Sequence, residues 1–146
     1  MLLLYSILII ALFTDFYKCH IYNWLILAGY FAGFCHCLCN QGLWYISLGD
    51  SLFTLAILYP LFVIGAFGGG DIKLFTVIAL FFGLEGTLNI IISSVMAGAV
   101  LSILKIIFIL FQKKKISLTH LYIHFSLPIL IGTILIHQGG IQWITF

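Results

Sequence analysis

The stretch of sequence that decides the fold is LNIIISSVMAGAVLSILKIIFILF, residues 88–111, in which Lys105 is the one charged residue. A helix needs about 20 mostly apolar residues to cross a bilayer. The run Lys113 to Lys115 follows after a single residue, and lysines at the end of an apolar stretch are typical of a cytoplasmic anchor. The stretch therefore predicts a membrane-spanning helix whose C-terminal end faces the cytoplasm.

The composition of the whole chain points the same way. Hydrophobic residues make up 64% of the 146 residues, and charged residues make up only 7%. A soluble domain usually carries roughly 25% charged residues, so a water-soluble fold of this length could not cover its surface. No polar or Pro/Gly/Ser-rich linker separates the apolar blocks. We therefore expect an all-α membrane protein with one domain over residues 1–146.

Six apolar blocks predict a bundle of about six transmembrane helices. If the N- and C-termini both lie on the outer side, then Lys18, Lys73 and the run 113–115 all face the cytoplasm, as the positive-inside rule requires. Asp50 and Glu85 then fall in outer loops. The first block has no basic segment before it and no small-residue cleavage site, so we expect a span rather than a removed signal peptide. The predicted spans are 2–17, 22–39, 51–67, 72–85, 88–111 and 121–137.

Two aspartates, Asp15 and Asp71, lie beside spans on the predicted cytoplasmic side. An acidic residue in or beside a span is costly and is by default a candidate functional residue. Two carboxyl groups in contact can share one proton, because like charges disfavour double ionisation. The ionised partner could then take a proton from water while the protonated partner polarises a peptide carbonyl. Charge placement alone leaves open that each aspartate only caps a helix or neutralises Lys18 or Lys73.

A glycine-rich segment comes directly before the second aspartate, in the order Gly68-Gly69-Gly70-Asp71-Ile72-Lys73-Leu74. Glycines between two apolar blocks predict a sharp turn of the backbone, since they have no side chain to obstruct it. They also let another peptide backbone approach the aspartate closely, as a protease that binds an extended substrate requires.

This segment resembles the Gly-x-Gly-Asp motif of the type IV prepilin peptidases. Upstream, Asp15 followed by Ile21-Tyr22-Asn23-Trp24 resembles the first catalytic aspartate of that family with its Ile-Pro-Asn segment, although Tyr22 stands where the family usually has proline. The resemblance covers most of the chain and implies that Asp15 and Asp71 are the catalytic pair. It implies an active-site turn or substrate contacts at the following residues: Gly68, Gly69, Gly70, Lys73 and Asn23.

By this resemblance the enzyme would remove the short basic leader from prepilin or pseudopilin precursors, at the cytoplasmic face of the bacterial inner membrane. Longer members carry a cytoplasmic loop with Cys-x-x-Cys pairs and also methylate the new N-terminus. This chain has no such loop, and in this respect it resembles the short, peptidase-only type of tight-adherence pilus systems. We expect no cofactor, no metal and no nucleic-acid partner. Two alternatives stay open: a non-catalytic membrane subunit of a pilus or secretion assembly, and a small proton-coupled carrier.

The other unusual residues are better explained by packing. Cys35, Cys37 and Cys39 cluster at the outer end of the second predicted span, where we expect them to act as small membrane residues. His120 and His124 have a spacing that can ligate zinc, but leucine follows the first of them where the helical metalloprotease motif has glutamate. We expect interfacial histidines there.

Two glycines in the second predicted span, Gly29 and Gly33, form a small-xxx-small pair. Small residues at this spacing let two helix backbones approach closely in a membrane bundle. The pair predicts a helix–helix contact and nothing more.

Overall fold

The computed structural model describes residues 2–18, 21–39, 44–111 and 125–139. These residues form helices and turns with no strand in the described ranges, which confirms the all-α prediction. Two helices, α3 and α4, are long and apolar enough to cross a membrane, and the other three are shorter apolar helices. The helices are α1 (Leu2–Lys18), α2 (Asn23–Cys39), α3 (Trp44–Val63), α4 (Gly69–Phe111) and α5 (Ser126–Gly139).

The first part of α4 is the centre of the bundle. Every residue from 74 to 81 is buried, and α4 contacts each of the other four helices. A helix that is apolar on all sides is found either in the core of a protein or within a membrane. The helix that carries Asp71 at its start is therefore held from several directions, which gives the site a rigid base.

Close contact between α2 and α4 confirms the role predicted for the glycine pair. A Cβ atom on Gly29 would lie 2.9 Å from Cγ1 of Val77, and a Cβ atom on Gly33 would lie 2.8 Å from the side chain of Leu80. Both distances are shorter than ordinary van der Waals contact, so larger side chains would push the two helices apart. The glycines let the α2 backbone lie directly on the side chains of α4.

A break at Gly83 divides α4 into two helical segments. Gly83 has φ 69° and ψ −177°, a combination that only glycine adopts easily. Its carbonyl oxygen accepts a hydrogen bond of 2.7 Å from the Thr87 hydroxyl in the next turn. The sequence predicted two spans here, 72–85 and 88–111. The structure places the break earlier, at Gly83, and without a separate loop.

The bounds of α3 correct three further predictions. This helix begins at Trp44 and ends at Val63, so the predicted span 51–67 was placed too late at both ends. Asp50 therefore lies inside α3, and Glu85 inside α4, rather than in outer loops. The Asp50 carboxylate faces the break in α4, with Oδ2 3.4 Å from the point where a Cβ on Gly83 would lie. Hydropathy misplaced Asp50 because it cannot recognise a polar contact between two helices.

The end of α3 explains where the chain turns before the glycine-rich segment. The Gly65 N–H donates to the Phe62 carbonyl and the Ala66 N–H to the Leu61 carbonyl, both at 2.9 Å. Gly65 has φ 80°. This is the Schellman arrangement that ends many helices. The turn thus occupies residues 64–67, and the predicted turn at the triple glycine was placed too late, since α4 already begins at Gly69.

The remaining spans agree with the predictions where they are described. Helix α1 runs through Asp15 to Lys18, as the shortness of the first apolar block predicted. Helix α2 matches the second predicted span. The last predicted span, 121–137, begins outside the described residues, and α5 covers the rest of it. The lysine run 113–115 also lies outside them. Six spans and outer termini stay predictions.

Candidate active site

The two aspartates predicted to be catalytic line one cavity of about 320 Å³. Asp15 lies in the last turn of α1 and is only 7% exposed, whereas Asp71 lies in the first turn of α4 and is partly buried. Their carboxyl groups are close enough to interact electrostatically. The structure thus brings together two acidic side chains that are far apart in the chain. The other lining residues are Gly65, Ala66, Phe67, Gly68 and Phe125.

Asp71 closes the start of α4 through contacts with Gly68. The Asp71 carboxylate accepts a hydrogen bond from the Gly68 N–H. In return, the Gly68 carbonyl accepts the N–H groups of Asp71 at 3.1 Å and Ile72 at 3.2 Å. A Cβ atom on Gly68 would lie 2.9 Å from Oδ2 of Asp71. Asp71 does cap a helix, which was one of the plain alternatives, and this cap fixes its carboxyl group at the edge of the cavity.

Asp15 is held by a residue from the other end of the chain. The Ser126 hydroxyl donates a hydrogen bond of 2.6 Å to Oδ2 of Asp15. Asp15 lies at the C-terminal end of α1, so it does not cap that helix at its N-terminus, where a carboxylate would be favourable. The side chain of Lys18, which was considered as its counter-ion, lies outside the described part of the chain.

The second motif segment, Ile21 to Asn23, lies against the glycine-rich segment. A Cβ atom on Gly70 would lie 3.1 Å from Cδ1 of Ile21. The Lys73 ammonium donates a hydrogen bond of 2.9 Å to Oδ1 of Asn23. Tyr22 replaces the proline of the family pattern. Its backbone carbonyl accepts hydrogen bonds from two backbone N–H groups of α2, at 3.1 and 3.4 Å. The two motif segments are therefore neighbours in space, and Tyr22 lies directly before α2, where its carbonyl accepts the first hydrogen bonds of that helix.

Each of the three glycines has a different neighbour. Gly68 lines the cavity with the aspartates, and Gly70 packs against Ile21. Gly69 lines a second, smaller cavity of about 160 Å³ between α3 and α4. This second cavity is almost entirely apolar. Its other lining residues are Leu55, Tyr59, Phe62, Ile72 and Lys73.

Within the described residues, no group of three or more histidine, cysteine, aspartate or glutamate side chains could hold a metal ion. Cys35, Cys37 and Cys39 are all free thiols. Cys37 is buried, and its thiol donates to the Leu80 carbonyl at 3.3 Å, which fits a role as a small packing residue. His120 and His124 lie outside the described residues.

Three residues near the aspartates, Ser126, Phe67 and Phe125, were not predicted from the sequence. The two phenylalanine rings contact each other, with centroids 5.1 Å apart, and both residues line the cavity. Phenylalanine is common in this chain, so nothing in the sequence distinguishes these two. Ser126 could have been recognised as a polar residue near the cytoplasmic end of the last predicted span, on the same side as Asp15.

The comparisons with known proteins show the family of the chain. No curated protein and no solved structure is significantly similar to the chain. A family model does match, over residues 2–103, and it describes the type IV leader peptidases. The match includes Asp15, the Ile21 to Asn23 segment and the glycine-rich segment through Lys73. Because it spans more than half of the sequence, the chain belongs to the type IV leader peptidase family.

Proposed function

We propose that this chain is a membrane aspartyl endopeptidase that removes the short leader peptide from prepilin or pseudopilin precursors. The observation that supports this best is the shared cavity, which is lined by Asp15 in the last turn of α1 and by Asp71 in the first turn of α4. Membership of a leader peptidase family supports the class of substrate.

The proposed mechanism uses both carboxyl groups and one water molecule. Two carboxyl groups that share a site do not both ionise easily, so one holds a proton. The ionised group takes a proton from water, and the resulting hydroxide attacks the scissile carbonyl carbon. The protonated group polarises the carbonyl oxygen and stabilises the developing negative charge. The C–N bond then breaks as the first carboxyl group returns its proton to the leaving nitrogen, which releases the leader and the new N-terminal amine. A cavity of about 320 Å³ has room for a water molecule beside a peptide bond. No metal or other cofactor takes part in this scheme.

The glycine-rich segment is the proposed place where the precursor backbone binds. Gly68 and Gly69 present no side chains toward the two cavities that they line, so an extended peptide can lie against them. The small apolar cavity between α3 and α4 would receive apolar side chains that follow the cleaved bond. Lys73 and Asn23 lie at the edge of this region, where we propose that they contact the substrate or shape its binding site.

We propose that the site faces the cytoplasm in the bacterial inner membrane. Lys73 comes two residues after Asp71 in the sequence, and lysines beside a span favour the cytoplasmic side. The basic leader of the precursor would lie in water at this face, while its apolar helix would lie in the bilayer. Nucleic acid has no part in this proposal, and the proposal does not include methylation of the new N-terminus.

The experiment that tests the function is cleavage of a panel of pilin-like precursors by the native chain and by Asp15→Asn and Asp71→Asn. Each substitution keeps the shape of the side chain and removes its acidity. We expect a loss of at least about 1,000-fold in rate for each variant, since neither carboxyl group can act alone in this mechanism. All proteins must first be shown to accumulate in the membrane.

Asp50→Asn is the matched control. Asp50 is another partly buried aspartate, but it lies on α3 and faces the break in α4 rather than the cavity. The Asp50→Asn variant should cut the precursors at the native rate. If all four proteins cut equally well, the two-aspartate mechanism is wrong. If none cuts any precursor of the panel, the non-catalytic assembly subunit becomes the better hypothesis. Proton flux without proteolysis would instead support the carrier.

A further inference from the structure

A buried serine on α5 contacts one member of the proposed catalytic pair. Ser126 is 2% exposed and Asp15 is 7% exposed, and the serine hydroxyl lies 2.6 Å from Oδ2 of the aspartate. The two residues are 111 positions apart in the chain. Ser126 is outside the part of the sequence that the family model matches. Its neighbour Phe125 lines the cavity, so the contact is made at the cavity wall.

The surroundings of Asp15 make this hydrogen bond important for the stability and the orientation of its carboxyl group. A carboxylate in the last turn of a helix does not gain the stabilisation that the N-terminal end of a helix gives to acidic side chains. A hydroxyl that donates to a carboxylate at 2.5–2.7 Å forms a charge-assisted bond, about twice as strong as a neutral one. Because the serine is itself buried on the helix that packs beside α1, the bond also fixes the direction in which the carboxyl group points.

The geometry points to Ser126 as a positioning residue that holds the Asp15 carboxyl group toward Asp71. This inference rests on the proposed peptidase function. Ser126 itself does not touch the substrate in this scheme; it acts through Asp15. The competing explanation is structural, namely that Ser126 only fastens α5 to α1. The two explanations differ in what the enzyme loses when the hydroxyl is removed.

The test compares Ser126→Ala with Ser126→Thr and Ser126→Cys. A pilin-like precursor that the native chain cuts serves as the substrate, and kcat and KM are measured separately in detergent micelles. We expect Ser126→Ala to lower kcat about 10- to 100-fold, which corresponds to the loss of one hydrogen bond to a charged group. KM should change less than about threefold, because the substrate contacts remain. Threonine, which keeps the hydroxyl, should restore most of kcat.

Ser94→Ala is the matched control. Ser94 is also fully buried, on α4, but its hydroxyl donates to the Ile90 carbonyl of its own helix. Its removal should leave kcat unchanged. Thermal unfolding of the purified variants shows whether Ser126→Ala and Ser94→Ala cost similar stability. If Ser126→Ala does not accumulate, Ser126→Cys replaces it. A thiol is a weak hydrogen-bond donor of similar size, so we expect Ser126→Cys to lower kcat as well.

Two results would overturn the inference. In the first, Ser126→Ala, or Ser126→Cys in its place, cuts at the native kcat. In the second, threonine fails to restore a lost kcat although the protein is as stable as the native chain. Either result leaves the peptidase function intact, provided that Asp15→Asn still abolishes cleavage. An inactive native chain, by contrast, would count against the proposed function itself.

Discussion

Substitution of Gly68 by alanine should separate the placement of the Asp71 carboxyl group from the stability of the fold. The new Cβ would lie 2.9 Å from Oδ2 of Asp71, whereas ordinary van der Waals contact begins at 3.4 Å. The carboxyl group must therefore move by about 0.5 Å, or the start of α4 must shift by a similar amount. Misplacement of a reacting group by about 1 Å can cost 100-fold in rate. We expect Gly68→Ala to lower kcat about tenfold, equivalent to about 1.4 kcal/mol.

The stability of this variant should change by no more than a change of N-cap residue typically costs, about 1 kcal/mol. The obstructing atom is the end of a side chain rather than backbone, so the fold can accommodate the methyl group once the carboxyl group has moved. Gly49→Ala is the control, because a Cβ on Gly49 meets no atom within 4 Å. The assay is precursor cleavage at saturating substrate, with thermal unfolding in detergent measured alongside. Native kcat in Gly68→Ala would refute the view that Gly68 determines where the carboxyl group lies.

Two further predictions concern the contacts around the site. Asn23→Ala and Lys73→Met should each lower kcat/KM in the cleavage assay about threefold. The double variant should lose no more than either single variant, because each of the three proteins lacks the same hydrogen bond of 2.9 Å between Lys73 and Asn23. If the two losses multiply in the double variant, the two residues have independent roles. Gly83→Ala should lower the free energy of unfolding by about 1–3 kcal/mol, because its φ of 69° with ψ of −177° is a combination that other residues rarely adopt. Thermal unfolding measured beside Gly49→Ala would show this as a lower midpoint.

The sequence predicted the parts of the structure that depend on short, local patterns. The spacing of Gly29 and Gly33 was enough to predict a close helix contact, because small residues at that interval always share one helix face. Helix α1 was predicted to continue through Asp15, because the apolar block before it is too short to cross a bilayer. The two aspartates were paired in two steps: the predicted topology placed both on one side of the membrane, and the resemblance to known motifs then favoured a catalytic role over helix capping.

The features that the sequence did not predict depend on contacts between distant residues. Asp50 was placed in a loop, because a hydropathy pattern treats any carboxylate as solvated, while the structure gives it a position facing Gly83. The turn before α4 was assigned to the triple glycine, but the Schellman arrangement at Gly65 turns the chain earlier. Ser126 was missed because its partner lies 111 residues away. A polar contact of this kind has no local pattern.

The position of Asp15 in its helix does not by itself assign it a function. Asp71 accepts the Gly68 N–H at the start of α4, so helix stability alone could explain an acidic residue there. Asp15 is not at a helix start; it is 7% exposed in the last turn of α1. Burial makes an acidic side chain costly at that point, the C-terminal end of a helix does not stabilise one, and an apolar residue would pack there at lower cost. The Ser126 hydroxyl offsets part of this cost, but a buried serine does not require a charged partner. The proposed catalytic role for Asp15 therefore depends on the cavity that it lines together with Asp71.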